Sequence, residues 1–160
     1  MTRYLFVLAV TALTLLSPLQ TLAQETNTAS GTMTIGKHNV AIKHVYLLSA
    51  TDGTKKGRRL IFSASDLSAA IDKCKVISCA TNDLNEGLEL ELDSGERLNL
   101  WAVANDQKTQ HSDTAVRSTL MTTTDTADAV AGVLAIDRSG IGGPKINVEF
   151  KAKLTKAFKG

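Results

Sequence analysis

From residue 31 onward, apolar and polar residues alternate with a period of two. That period marks strands with one face on a core and the other in water. The pattern predicts strands over residues 31–35 and 40–49, joined by a turn at 36–39, and a third over 59–63. Further strands are predicted over 87–92, 97–104, 116–124, 129–136 and 145–154. In the second, Val40, Ile42, His44, Tyr46 and Leu48 fall on one face, and Ala41, Lys43, Val45 and Leu47 on the other. In the fourth, Leu88, Leu90 and Leu92 alternate with Glu89 and Glu91, so the glutamates should meet water. In the last, Ile146, Val148, Phe150, Ala152 and Leu154 point inward.

One segment breaks the period. Ser65 is a helix cap, and Leu67, Ala70, Ile71 and Cys74 then follow at helical spacing, which predicts a short helix through about Lys75. The expected fold is all-β: an antiparallel β-sandwich or small β-barrel of about eight strands, with one short helix inserted after the third strand. If the strands holding Glu89 and Glu91 and holding Lys151 and Lys153 were neighbours, their opposite charges would face each other. Polar loops are expected at residues 52–57 and 105–114.

The chain start has a different pattern. Arg3 is followed by an apolar run over residues 4–16, then Pro18 and the small-residue site Thr21-Leu22-Ala23. This is the layout of a secretory signal peptide cleaved after Ala23. The run is shorter than the roughly 20 residues needed to span a bilayer, and no later stretch is long enough. The chain thus divides into a signal peptide (1–23), a disordered leader (24–30) and a single β-rich domain (31–160) in the periplasm or outside the cell.

Charge narrows the partners. The 18 basic residues include Arg3, and none of the 16 acidic residues lies in the signal, so the mature chain is close to neutral. Nucleic acids and anionic membranes select strong positive patches, so neither is an expected partner. The one basic cluster, Lys55-Lys56-Gly57-Arg58-Arg59, lacks interleaved aromatics on which bases could stack. It reads as a solvated loop, or as a site for an anionic group. Cys74 and Cys79 are the only cysteines, and export predicts a disulfide between them.

Candidate chemistry is sparse. His44 lies on an inward-looking face, His38 in a turn, and His111 in a polar string with Ser112 and Asp113. Triads are assembled from separate segments, so the string reads as a loop; His44 reads as a core histidine, a ligand group or a catalytic base. Asp83, Asn85 and Gly87 echo part of a calcium loop, and Asp125 and Asp128 flank a turn, but neither set has the full ligand complement. Residues 140–143 are glycine-rich but precede Pro144 and a strand, whereas a phosphate-cradling loop leads into a helix. No metal and no cofactor is expected. Trp101 breaks parity with Leu98, Leu100 and Ala102, so it turns outward, either packing under the helix or anchoring an interface. The threonines at 119, 122, 123, 124 and 126 suit a solvent-facing or edge strand.

Two stretches carry a resemblance. Gly31-Thr32-Met33-Thr34-Ile35 with residues 40–46, and Gly132-Val133-Leu134 with residues 142–152, resemble the opening and closing hairpins of a group of small uncharacterised exported bacterial proteins. The resemblance implies a β-rich exported domain and carries over no catalytic residue. The expected function is non-enzymatic binding of a protein or small ligand in the bacterial envelope, as in an inhibitor or immunity factor. Possible contacts are Trp101, His44, Lys55, Lys56, Arg58 and Arg59. The alternatives are a hydrolase using His44 or His111, and a structural or assembly protein. Export sets the first test. Mass spectrometry of the protein recovered outside the cytosol should give a chain beginning at Gln24, and uncleaved protein in the cytosol would refute this.

Overall fold

The computed structural model describes residues 27–104 and 109–159; the signal segment 1–23 and residues 24–26 of the predicted leader lie outside that range, while the leader's residues 28–30 belong to the first strand. The described residues form ten strands curled into a half-barrel. They are β1 (Thr28–Ile35), β2 (His38–Ile42), β3 (His44–Asp52), β4 (Lys55–Ser63), β5 (Gly87–Glu91), β6 (Arg97–Ala104), β7 (Thr109–Val116), β8 (Leu120–Asp125), β9 (Ala129–Asp137) and β10 (Lys145–Lys159). The helix α1 (Ser68–Lys73) and a 3-10 turn, Ile77–Thr81, lie between β4 and β5. No helix among the described residues is long and apolar enough to cross a membrane.

The strand order is β2-β1-β10-β3-β4-β5-β6-β7, with β9 also on β10 and β8 on β9. All pairings are antiparallel except β10 with β3, which is parallel. That pairing departs from the antiparallel expectation. It arises because the two ends of β10 pair differently: residues 145–153 lie against β1 and β9, and residues 154–159 against β3.

Ten strands replace the eight expected for two reasons. The predicted strand 40–49 breaks at Lys43, whose amide bonds to the Ser63 carbonyl, giving β2 and β3. This makes the helix follow the fourth strand. The break also flips parity: Val40 and Ile42 share one core with Val45 and Leu47, while Tyr46 and Leu48 face the other way. The second reason is β7, which occupies part of the expected polar loop 105–114. Among the residues of β7 whose burial is described, only Ala115 is a buried core residue, so its hydrophobic alternation is faint. The loop expected at 52–57 is instead a tight hairpin, with Asp52 opposite Lys55 around Gly53-Thr54. Strand β1 begins at Thr28, three positions before the glycine where the alternation starts.

Two cores result. The inner one fills the concave side, where Phe62 and Phe150 meet edge to face with centroids 5.1 Å apart. The outer one is smaller. Leu67, Ile71, Cys74, Ala80 and Leu84 cover Tyr46, Leu48, Ile61 and Phe158 on the convex side. The predicted helix face is therefore the one that packs, although α1 is only 6 residues long. So short a helix is marginal by itself. Three links hold it. The Tyr46 hydroxyl donates to Asp66 Oδ1 at 2.7 Å and accepts from the Leu67 amide at 2.7 Å. Lys156 Nζ donates to the carbonyls of Ile71, Asp72 and Cys74 at 3.0, 2.7 and 2.8 Å, satisfying the helix C-terminus. The Cys74–Cys79 disulfide joins the end of α1 to the 3-10 turn. So short a loop limits its entropic contribution to roughly 2 kcal/mol.

Close strand approach requires glycine at position 132. A Cβ there would lie 2.1 Å from the Met121 carbonyl oxygen, and φ is +155°. Gly57, by contrast, has open space around it. Gly132→Ala should therefore lower the urea-unfolding free energy by about 2–3 kcal/mol through strain and strand displacement, while Gly57→Ala stays within about 0.5 kcal/mol of wild type. Equal effects of the two substitutions would contradict the close approach.

Candidate functional site

The outer face beyond the helical cover belongs to β5 and β6. In β5, Leu88 and Leu90 enter the inner core, which turns Glu89 and Glu91 outward. In β6, Leu98, Leu100, Ala102 and Ala104 enter the core, which turns Asn99, Trp101 and Val103 outward. Register places Trp101 beside Glu89 and Asn99 beside Glu91. On the other flank, Arg59 of β4 lies opposite Glu91. The 3-10 turn and the residues after it, including Thr81 and Asn82, form a wall along this strip. The result is an open groove of about 420 Å³ whose floor is Arg59, Glu89, Glu91 and Trp101.

Arg59 joins the carboxylates. Its Nη1 lies 2.5 Å from Glu89 Oε1 and its Nη2 lies 2.9 Å from Glu91 Oε1. Asn99 Nδ2 donates to Glu91 Oε2 at 3.0 Å. Glu89 is only 7% exposed, which corrects the expectation that it meets water: the turn and Leu84 cover that end of β5. Burial pushes the Glu89 carboxyl up in pKa despite the Arg59 charge beside it. The proposed match of Glu89 and Glu91 with Lys151 and Lys153 does not form. The strand β5 lies between β4 and β6, and β10 pairs with β1, β9 and β3. Arg59 takes the role assigned to the lysines.

The other residues singled out by the sequence are dispersed. Arg58 and Arg59 point to opposite faces because they are consecutive in a strand. The Arg58 guanidinium contacts Asp93 at 2.8 Å and Asp125 at 2.7 Å, and Nη1 also donates to the Thr126 carbonyl. The basic cluster is thus strand rather than loop, and its arginines are neutralised. Lys56 is exposed, and the side chain of Lys55 lies outside the described residues. His44 is half-buried at the start of β3, where its proximity helps hold Asp66 ionised. The Asp66 pKa is lowered to about 2, chiefly by the Ser68 hydroxyl. His38 Nε2 lies 2.8 Å from Glu86 Oε1. His111 lies on β7 near Gly143. Among the described residues, no serine or aspartate side chain is hydrogen-bonded to His44 or His111, and no three metal-ligating side chains converge.

The groove therefore unites two residues named from the sequence, Arg59 and Trp101, with two that the sequence left as surface charge, Glu89 and Glu91. The signal for the carboxylates was present: two outward glutamates on a strand whose flanks supply one arginine and one tryptophan. The strand order needed to combine them is a long-range property.

Glu89 gives the groove a titration signature. Because the folded state holds its proton to higher pH than the unfolded chain, stability falls as pH rises from the usual glutamate range of about 4.3 through the raised value. Glu89→Gln cannot ionise, so its urea midpoint should rise relative to wild type across that interval. Contributions from carboxylates with lowered pKa, such as Asp66, are lost on acidification instead and cancel in the comparison. A constant difference across the pH range would contradict a buried Glu89. In comparisons with known proteins, the chain matches no family, no curated protein and no solved structure.

Proposed function

We propose that the protein is a non-enzymatic exported domain of the bacterial envelope, and that it binds a protein partner or small ligand through the groove over β5 and β6. The supporting observation is the position of Trp101. The chain's single tryptophan is half-buried on a rigid strand, beside a carboxylate–guanidinium network at the margin of a covered face. Tryptophan and arginine are among the residues that most often dominate binding energy at an interface. Strands also hold such groups more exactly than loops do. The compartment and envelope setting rest on the signal-peptide pattern and the resemblance described above.

The hydrolase reading has weaker support. A base needs a nucleophile within hydrogen-bond reach, and His44 and His111 lack one among the described residues. The test is capture from envelope extract by the mature protein. Wild type should retain a component that both Trp101→Ala and the groove-filling Asn82→Trp lose, while Gly57→Ala on the hairpin retains it. Identical retention by wild type and both groove variants would overturn the assignment of the groove.

A further inference from the structure

Resting on the reading of this groove as a binding site, we propose that it accepts an alkylammonium group: a cationic nitrogen carried on a methylene chain, as in a small diamine or a lysine side chain.

Charge is the first argument. The groove floor holds two carboxylates and one guanidinium, so it carries one net negative charge when all are ionised. Both terminal nitrogens of Arg59 are already directed at Glu89 and Glu91. An anion entering here would find the guanidinium committed and two carboxylates facing it. A cation finds the reverse. Its approach would complete a four-charge set in a partly desolvated site, where each unscreened charge acts more strongly than in bulk water.

The aromatic ring is the second argument. Trp101 stands directly across from Glu89 in the strand register. The negative face of an indole attracts ammonium groups, and tryptophan is the strongest of the aromatic residues in this role. A carboxylate and an indole side by side form two walls of a cation site.

Shape and the remaining lining supply the third argument. Leu84 and Val103 offer apolar surface to methylenes, while Thr81 and Asn82 offer neutral oxygen acceptors. A purely apolar ligand would strip water from the exposed parts of Arg59 and Glu91 without replacing its hydrogen bonds, which is costly. A volume of about 420 Å³ lies at the small end of ligand pockets, suited to one extended side chain or a short diamine.

The experiment uses the emission of Trp101, which as the only tryptophan reports on the groove alone. The mature protein is titrated with 1,5-diaminopentane, with a peptide bearing one lysine, with the same peptide Nε-acetylated, with 1,5-pentanediol and with glutarate. The expected result is a saturable emission change with the diamine, the lysyl peptide or both, and none with the diol, the glutarate or the acetylated peptide. Preference for the diamine identifies a free amine as the source, and preference for the peptide a protein. Glu91→Gln should weaken ammonium binding about tenfold. Ser78→Lys, which adds a positive charge on the rim, should weaken it as well. Ser78 is exposed, so this second variant tests the charge argument even if Glu91→Gln destabilises the chain. Equal binding of the diol or glutarate, unchanged affinity in Ser78→Lys, or no saturable response to any ammonium overturns the proposal. If ammonium probes fail while Trp101→Ala and Asn82→Trp still lose a captured envelope component, the cation assignment alone is wrong. If both fail, the groove itself is not the binding site.

Discussion

The structure depends on one strand serving two pairings. Strand β10 runs for 15 residues, antiparallel to β1 and β9 along its first part and parallel to β3 along its second. Ile146, Val148, Phe150 and Ala152 supply the inner core, and Phe158 supplies the outer one. The change of face comes from an irregular register between Leu154 and Lys156, where the chain gives up one step of alternation. Lys156 emerges beside the helix that the outer core needs, and its ammonium satisfies three carbonyls there. The bulge thus positions the helical cover as well as changing the partner.

A half-barrel leaves edges, and unpaired edges invite association. Three arginines restrain them. Arg138 reaches β7, donating to the Thr114 carbonyl at 3.0 Å with its Nε 3.7 Å from Asp113. Arg117 bonds the Leu92 carbonyl and lies 3.2 Å from Asp125 at the end of β8. Arg58 ties that same aspartate to Asp93. Each contact is partly exposed and individually modest, since pairs of this kind contribute at most about 1 kcal/mol. Their collective effect is geometric: the end of β8 is fixed near the β4 and β5 termini, so the sheet stays curved over its core.

Most of the local structure was legible in the sequence because period-two alternation is a local property. The leucines of β5, the inward residues of β10 as far as Leu154, the packing face of α1 and the Cys74–Cys79 bridge all appear as read from the chain. The misreadings occur where alternation is interrupted. At Lys43 a single residue drops out of the ladder, and every side chain after it changes side. Strand β7 was hidden for the opposite reason: one buried alanine leaves almost no apolar period to detect. The groove was half legible. Trp101 announced itself by breaking parity, but pairing Glu89 with Arg59 rather than with Lys151 needed the strand order, which no local pattern contains.

The outer core ends partway across the sheet, and this explains why the groove exists. Residues between β4 and β5 cover Tyr46, Leu48, Ile61 and Phe158, then turn back into β5 through Leu84. Strand β5 begins under the margin of that cover and emerges from it, and antiparallel β6 runs back and ends there with Val103 against the outer core. At the margin, a leucine in place of Glu89 would extend the outer core without a desolvated charge, and replacing buried ion pairs with apolar residues is often neutral or stabilising. The chain instead carries a carboxylate there whose burial opposes its ionisation and whose compensation is one terminal nitrogen of Arg59, the other being directed at Glu91. Stability alone does not favour that choice. A fixed, oriented charge beside an indole does favour recognition, because the orientation cost is already met when a ligand arrives. On the proposed reading of the groove, the unfinished edge of the outer core is the part of the fold where packing yields to recognition.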